Sequence, residues 1–172
     1  QKVYNLFTQG RTEGIFQFES SGMKEKLRLL RPTEFNDIVA MNALYRPGPM
    51  AQIETYVRRK HGEEKVVYPH PHLEKILRDT YGVIVYQEQI MLIAVNFAQM
   101  SLNEADNMRR AVSKKKKEDL EYYGRIFIEK SVAAGYDLNI AKKLFDLIVT
   151  FANYGFNKSH AVVYSMLAYR LA

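Results

Sequence analysis

Two short stretches of the sequence hold side chains of the kinds that bind ligands. The first runs from Arg109 to Lys117 (RRAVSKKKK) and carries six cations and no carboxylate. Lys plus Arg totals 25 against 19 for Asp plus Glu, so this segment alone accounts for the formal net charge of +6 and leaves the remainder balanced. Concentrated positive charge on a neutral background is the footprint of a polyanion, because closely spaced phosphates reward it. A solvated helix end needs only one or two cations to complement its macrodipole, and six exceed that. The second stretch, Tyr154-Gly155-Phe156-Asn157-Lys158-Ser159-His160, gathers aromatic, amide, cationic, hydroxyl and imidazole groups between two apolar segments. Gly155 lets a backbone approach closely, Tyr154 or Phe156 offers a ring for base stacking, and a helix opening there attracts phosphate together with Lys158. Plain packing, with the aromatics closing a core and Gly155 stopping a helix, is the competing reading, and residue types leave both open.

Magnitudes rank the two anion candidates. A helix N-terminus offers about half a unit charge, whereas an arginine pair offers two full charges and bidentate hydrogen bonds. Arg109 and Arg110 are therefore expected to carry most of the binding. Adjacent helical residues point about 100° apart, so both reach one extended triphosphate only if it crosses the helix. Otherwise one faces a different phosphate or a carboxylate such as Asp106 or Glu104. The expectation is one pocket, built from the cationic cluster and the aromatic bend, for a nucleotide's phosphate tail and base.

Other chemistries find less support. Two-metal phosphoryl transfer calls for clustered carboxylates such as Asp-x-Asp, and the six aspartates (Asp37, Asp79, Asp106, Asp119, Asp137 and Asp146) are scattered where caps and solvated charges are expected. His70-Pro71-His72 with His61 would be a weak metal set, because proline splays its neighbours and the chain has no cysteine. Ser159-His160 cannot act as a nucleophile and its base, since adjacent residues do not normally pair in that way and no orienting acid is evident. Absence of cysteine also removes disulfides and suits a reducing compartment, so the cytoplasm is expected. The longest apolar run, Ile90 to Val95, is too short to cross a membrane.

The elements that position these groups read as helices from end to end, in a chain of 172 residues that amounts to one domain by length. Ile15, Phe16 and Phe18 suggest a short strand, and Val83 to Tyr86 a second β-like piece. Ser20 or Ser21 caps a helix that stops before Pro32, and Thr33 caps the next. Arg46-Pro47-Gly48-Pro49 breaks it, and Met50 to His61 forms a third helix ending at Gly62. Pro71 opens a short helix. Gln87 to Gln99 is apolar nearly all round and is expected at the centre of the core. Ser101-Leu102-Asn103-Glu104 is a capping box. It sets the helix that carries Arg109 and Arg110, with the lysines at or past its end. Further helices follow, one ended by Gly135, one after Asp137 and one from about Ser159. With no initiator Met at Gln1 and no terminal cap, the chain reads as an excised fragment.

Six motifs then point to a family. GIFQFESSGM (Gly14–Met23), ALYRPGP (Ala43–Pro49), RKHG (Arg59–Gly62), DTYGVIVYQEQIM (Asp79–Met91), MRRAVSKKK (Met108–Lys116) and FANYGFNKSHAVVY (Phe151–Tyr164) occur in order across almost the whole chain. They closely resemble the bacterial DNA polymerase III alpha subunits, the C-family replicative polymerases, and are nearer the DnaE than the PolC type. The resemblance implies a mainly α fingers domain over residues 1–172 with at most one or two short strands, residues 1–20 being at the palm edge. It implies template-directed primer extension from dNTPs, with Mg²⁺ held by three palm aspartates outside this chain, so the fragment alone would be inactive. It assigns the incoming triphosphate to Arg109, Arg110 and Lys158. Nucleic-acid phosphates fall to Lys114, Lys115, Lys116 and Lys117, and the nascent base pair to Tyr154, Asn157, Ser159 and His160. Arg46 falls in a motif near the cleft without a stated role, and Val112 and Ser113 stand where the family pattern has Met and Gly. Implied partners are primer–template DNA, dNTP and other replisome subunits such as the sliding clamp, met through regions not present here, and no membrane. The rivals are a non-catalytic helical nucleic-acid-binding adaptor using residues 109–117 and a metal enzyme using His61, His70 and His72.

Overall fold

A computed structural model describes residues 2–114 and 116–172. Among them the chain forms ten α-helices: α1 (Lys2–Gln9), α2 (Ser21–Leu30), α3 (Phe35–Leu44), α4 (Ile53–Lys60), α5 (Glu74–Leu77), α6 (Gln87–Ala98), α7 (Leu102–Lys114), α8 (Lys117–Ala133), α9 (Leu138–Ala152) and α10 (Lys158–Leu171). Short 3-10 turns at Pro49–Gln52, Pro71–Leu73 and Arg78–Thr80 complete the pattern, so the mainly α expectation holds. No described helix is long and apolar enough to cross a membrane. The chain divides into two compact units, residues 1–65 with 156–172 and residues 66–155, and passes between them at Lys65/Val66 and Gly155/Phe156.

In the first unit α3 is the buried element, with every residue from Asp37 to Leu44 buried. Its partner α10 offers a stripe of small side chains, Ala161, Ser165 and Ala168, all with 0% exposure. Small residues let the two backbones approach closely. The Asn42 amide nitrogen then donates to the Ala161 carbonyl (3.4 Å) and the Ser165 hydroxyl (3.3 Å). Ser20 accepts the Met23 N–H and caps α2 as expected. The next cap falls one residue later than expected, at Glu34 instead of Thr33. Asp37 draws the N–H groups of both Thr33 (2.9 Å) and Glu34 (3.2 Å), which leaves Thr33 outside the helix.

In the second unit α6 packs against α5, α7, α8 and α9. It buries Ile90, Ile93, Ala94, Phe97 and Ala98 in a core shared with Met108, Val112, Phe127, Leu144 and Ile148. Each of the larger side chains among them is worth about 1.5–3 kcal/mol when withdrawn from water. The expected capping box closes α7: the Ser101 N–H donates to Glu104 Oε2 (2.7 Å) and the Glu104 N–H to Ser101 Oγ (3.2 Å). Asp137 caps α9 through the N–H groups of Asn139 and Ile140.

Neither strand-like segment becomes a strand. From Ile15 to Phe18 the chain closes consecutive turns, Ile15 N–H to Thr12 O and Phe18 N–H to Ile15 O, with Gln17 at φ 74°. Val83 to Val85 are buried, but the Gln89 side chain ends the run by accepting the Val85 and Tyr86 N–H groups (2.8 and 3.0 Å). β-Propensity at these positions reflects burial rather than pairing.

Candidate functional site

The cationic cluster starts on α7, whose position follows from its capping box at one end and from Met108 and Val112 in the core along one side. Arg109 sits over the start of α6. Its Nε and Nη2 donate to Asp106 Oδ1 (3.0 and 2.7 Å), and its Nη1 donates to Gln87 Oε1 (3.1 Å). Arg110 reaches the other carboxylate oxygen, Asp106 Oδ2, at 2.7 Å. One carboxylate thus gathers two guanidinium groups that the helix would otherwise point about 100° apart. The Arg109 hydrogen bond, foremost, holds the Asp106 carboxyl below the usual carboxylate range. Glu104, the other candidate counter-ion, is engaged instead by Lys130 at 2.7 Å.

The two arginines are not equivalent. Arg109 is tied to two helices and its side chain is 18% exposed, whereas Arg110 has one partner among the described residues and is 65% exposed. Ser113 adds a further tether: its hydroxyl lies 2.8 Å from the Arg109 carbonyl and 3.1 Å from the Ala152 carbonyl at the end of α9. A glycine at this position would lack that link between α7 and α9.

Lys114 is the last residue of α7, Lys116 caps α8, and Lys117 opens it, all three exposed. Lys115 lies outside the described residues. Only Lys114 is explained by the α7 macrodipole. Lys116 and Lys117 place positive charge at the N-terminus of α8, where it opposes the dipole. Lys117 lies 3.9 Å from Glu121 with both side chains largely exposed, a pair of little worth. Helix stability therefore does not account for these cations.

The expected pocket draws its residues from both units. Within residues 66–155, the Tyr154–Gly155 end of the bend comes beside the arginine helix. Gly155 lies against Gln87, where a Cβ would stand 3.2 Å from Gln87 Cγ, and the Ala152 carbonyl meets Ser113. Tyr154 is 39% exposed. Within the other unit, Asn157 caps α10 by accepting the His160 N–H at 2.8 Å. Ser159 and His160 are exposed and Lys158 is half-buried on the first turn.

Arg46, the first residue of the RPGP turn, sits in this second environment. Its guanidinium carbon stands 4.4 Å from the Phe156 ring centre, and its Nε donates to the Ala43 carbonyl. It lines a cavity of about 250 Å³ with Gln17, Asn42, Tyr45, Phe156 and His160. Burial lowers the Arg46 pKa, but a guanidinium starts high enough to stay charged. Phe156 therefore packs one face against a cation, and its edge meets His160 (5.2 Å), whose ring continues to Tyr164 (4.3 Å).

The histidines of the metal reading have other partners. His70 Nδ1 accepts the His72 N–H at 3.2 Å, and its ring meets Phe97 and Tyr136. Desolvation, then the neighbouring His72, lowers the His70 pKa and keeps that nitrogen an acceptor. His72 bonds the Tyr136 hydroxyl (2.7 Å), and His61 the Leu29 carbonyl (3.1 Å). Among the described residues no three of His, Asp or Glu are grouped to hold a metal ion.

Comparison with known proteins follows the same lines. Residues 1–135 match the bacterial DNA polymerase III alpha subunit finger domain family. Over 171 residues the chain is 58% identical to the DNA polymerase III subunit alpha of Halalkalibacterium halodurans and 56% identical to that of Bacillus subtilis, covering 99% of this chain and 15% of each relative. It is 56% identical over 169 residues to the Staphylococcus aureus protein of the same name, covering 98% of this chain and 16% of that one. The chain thus spans about 15% of the length of these relatives. The bend from Tyr154 to His160 lies beyond the family match but inside the region shared with the relatives.

Proposed function

The chain belongs to the bacterial DNA polymerase III alpha subunit finger domain family, and from that premise we propose that it binds the incoming dNTP during template-directed primer extension. Arg109 and Arg110 take the triphosphate, with Lys158. Tyr154, Asn157, Ser159 and His160 meet the nascent base pair. Lys114, Lys115, Lys116 and Lys117 face the phosphates of primer–template DNA. The whole protein is a DNA-directed DNA polymerase acting with other replisome subunits, such as the sliding clamp, in chromosome replication.

One observation carries this reading: two guanidinium groups from successive residues are drawn together on Asp106, beside Gln87 and the Tyr154–Gly155 turn. Convergent arginines suit a polyphosphate, which offers several oxygens at close spacing. Their work in phosphoryl transfer is to fix the substrate and to stabilise charge on the leaving pyrophosphate, with no proton to be exchanged. Magnesium supplies charge neutralisation in such reactions, but the described residues do not fit it, because their carboxylates are dispersed and Asp106 is occupied by arginine. We assign it to carboxylates outside this chain, and the 172 residues alone are expected to incorporate no nucleotide.

The test is steady-state incorporation by the full-length polymerase. Arg109→Ala and Arg110→Ala should each lower kcat/KM for dNTP by about 1.5–3 kcal/mol, the worth of a charge-assisted hydrogen bond. Unchanged kcat and KM in both variants would discard the assignment.

A further inference from the structure

We propose that Asp106 is the positioning residue of the nucleotide site: it holds Arg109 in place throughout the cycle while Arg110 exchanges Asp106 for a phosphate oxygen. This rests on the reading that the two arginines bind triphosphate. The geometry divides the roles. Asp106 lies three residues before Arg109 and four before Arg110 on α7, the two spacings at which helical side chains meet. Its Oδ1 accepts two N–H groups from Arg109, and its Oδ2 pairs with Arg110 Nη2 at 2.7 Å. A guanidinium carries five N–H donors. Arg109 uses three of them on Asp106 and Gln87, from two different helices, and still has donors for an anion without releasing either partner. Among the described residues Arg110 pairs with Asp106 alone, at the end of a side chain that is 65% exposed. It is the arginine that can swing.

Charge makes the same distinction. Two arginines and one carboxylate sum to a single positive charge, so in the absence of nucleotide the pair is not left as two adjacent bare cations. An arriving triphosphate competes with Asp106 for Arg110, and the freed carboxylate oxygen remains near Arg109, which keeps both of its own bonds to Oδ1. Asp106 therefore pre-sets the direction of Arg109, reducing the ordering that nucleotide binding must impose. A simple competitor would behave in the opposite way, since its removal would strengthen nucleotide binding.

The experiment is single-turnover incorporation by the full-length polymerase on primer–template, which separates dNTP affinity from the maximal rate. Asp106→Ala should weaken dNTP affinity about tenfold, the scale of one charge-assisted hydrogen bond, with primer–template affinity unchanged. Asp106→Glu, which preserves a carboxylate within reach of both arginines, should recover most of the loss. Asp106→Asn keeps an acceptor for Arg109 but turns an amide toward Arg110, and should fall between Asp106→Ala and the parent. Thermal unfolding of each variant identifies loss of fold, and the graded series cannot be produced by unfolding alone. Unchanged or tighter dNTP binding in Asp106→Ala, while Arg109→Ala and Arg110→Ala weaken it, overturns the positioning role and leaves the triphosphate reading standing. If neither arginine variant weakens dNTP binding, both proposals fall.

Discussion

Gly155 lies flat against Gln87: a Cβ on Gly155 would stand 3.4 Å from the Gln87 backbone nitrogen and 3.5 Å from its Cα. The tightest approach is to the Gln87 side chain, 3.2 Å from its Cγ, so a larger residue at 155 presses first on the side chain that meets Arg109. Gln87 in turn accepts from Arg109 Nη1. Gly155→Val should therefore displace Gln87 and loosen Arg109, without touching either arginine. In the full-length polymerase we expect dNTP KM to rise severalfold, in the range of about 1 kcal/mol for one neutral-acceptor hydrogen bond. Gln87→Ala should raise it similarly. Because both act through one contact, the double variant should be little worse than either single one; fully additive losses would show that Gly155 acts elsewhere.

Asp37 is completely buried, and Lys60 Nζ lies 2.9 Å from its Oδ2 with only 7% of the lysine side chain exposed. The same oxygen accepts the Thr33 and Glu34 N–H groups, and Lys60 also donates to the Thr33 hydroxyl at 2.8 Å. Removing one partner strands the other charge out of water. Asp37→Ala should therefore destabilise the chain by about 3–5 kcal/mol, whereas Asp37→Ala with Lys60→Met should recover much of it, since a buried pair is often replaceable by apolar side chains. Denaturant unfolding decides the matter: a double variant no more stable than Asp37→Ala alone would show that the hydrogen bonds to Thr33 and Glu34 carry the effect.

Asp37 also marks where sequence reading stops. Local punctuation was legible: Ser20, Ser101 with Glu104, Asp137 and Pro71 each open an element where their short-range chemistry requires. The Asp106 salt bridges were foreseeable in the same way, because i+3 and i+4 are helix neighbours whatever the tertiary fold. Asp37 looked like one more cap because its partner, Lys60, lies 23 residues on in another helix, a separation that no local pattern encodes. Gln87 escaped for the same reason, being 22 residues from Arg109. The strand-like segments failed differently. Ile15, Phe18 and Val83 to Val85 are indeed buried, but Ile15 and Phe18 close consecutive turns and the Val85 N–H goes to the Gln89 side chain, so burial here comes with turns and side-chain hydrogen bonds instead of a ladder. Arg46 carried a residue-type signal only, and its contact with Phe156 joins positions 110 residues apart.

Glu104 combines the α7 cap with the Lys130 contact, and the Lys130 hydrogen bond, followed by those from Ser101, holds its pKa down to about 2 from 4.5. A carboxyl whose folded pKa is depressed contributes stability above its unfolded pKa and loses it as pH falls toward the folded value. The loss should therefore run from about pH 4.5 down to about pH 2. Glu104→Gln retains an acceptor for the Ser101 N–H but removes the charge. Both side chains of the pair are near 40% exposed, 37% for Lys130 and 41% for Glu104, so screening keeps the effect small. At neutral pH Glu104→Gln should be slightly less stable than the parent. The difference should shrink below pH 4.5 and be mostly lost near pH 2, where the parent carboxyl is half protonated. Urea unfolding of both proteins across this range measures it, and a difference that stays constant down to pH 2 would place the stabilisation in the cap alone and not in the charge.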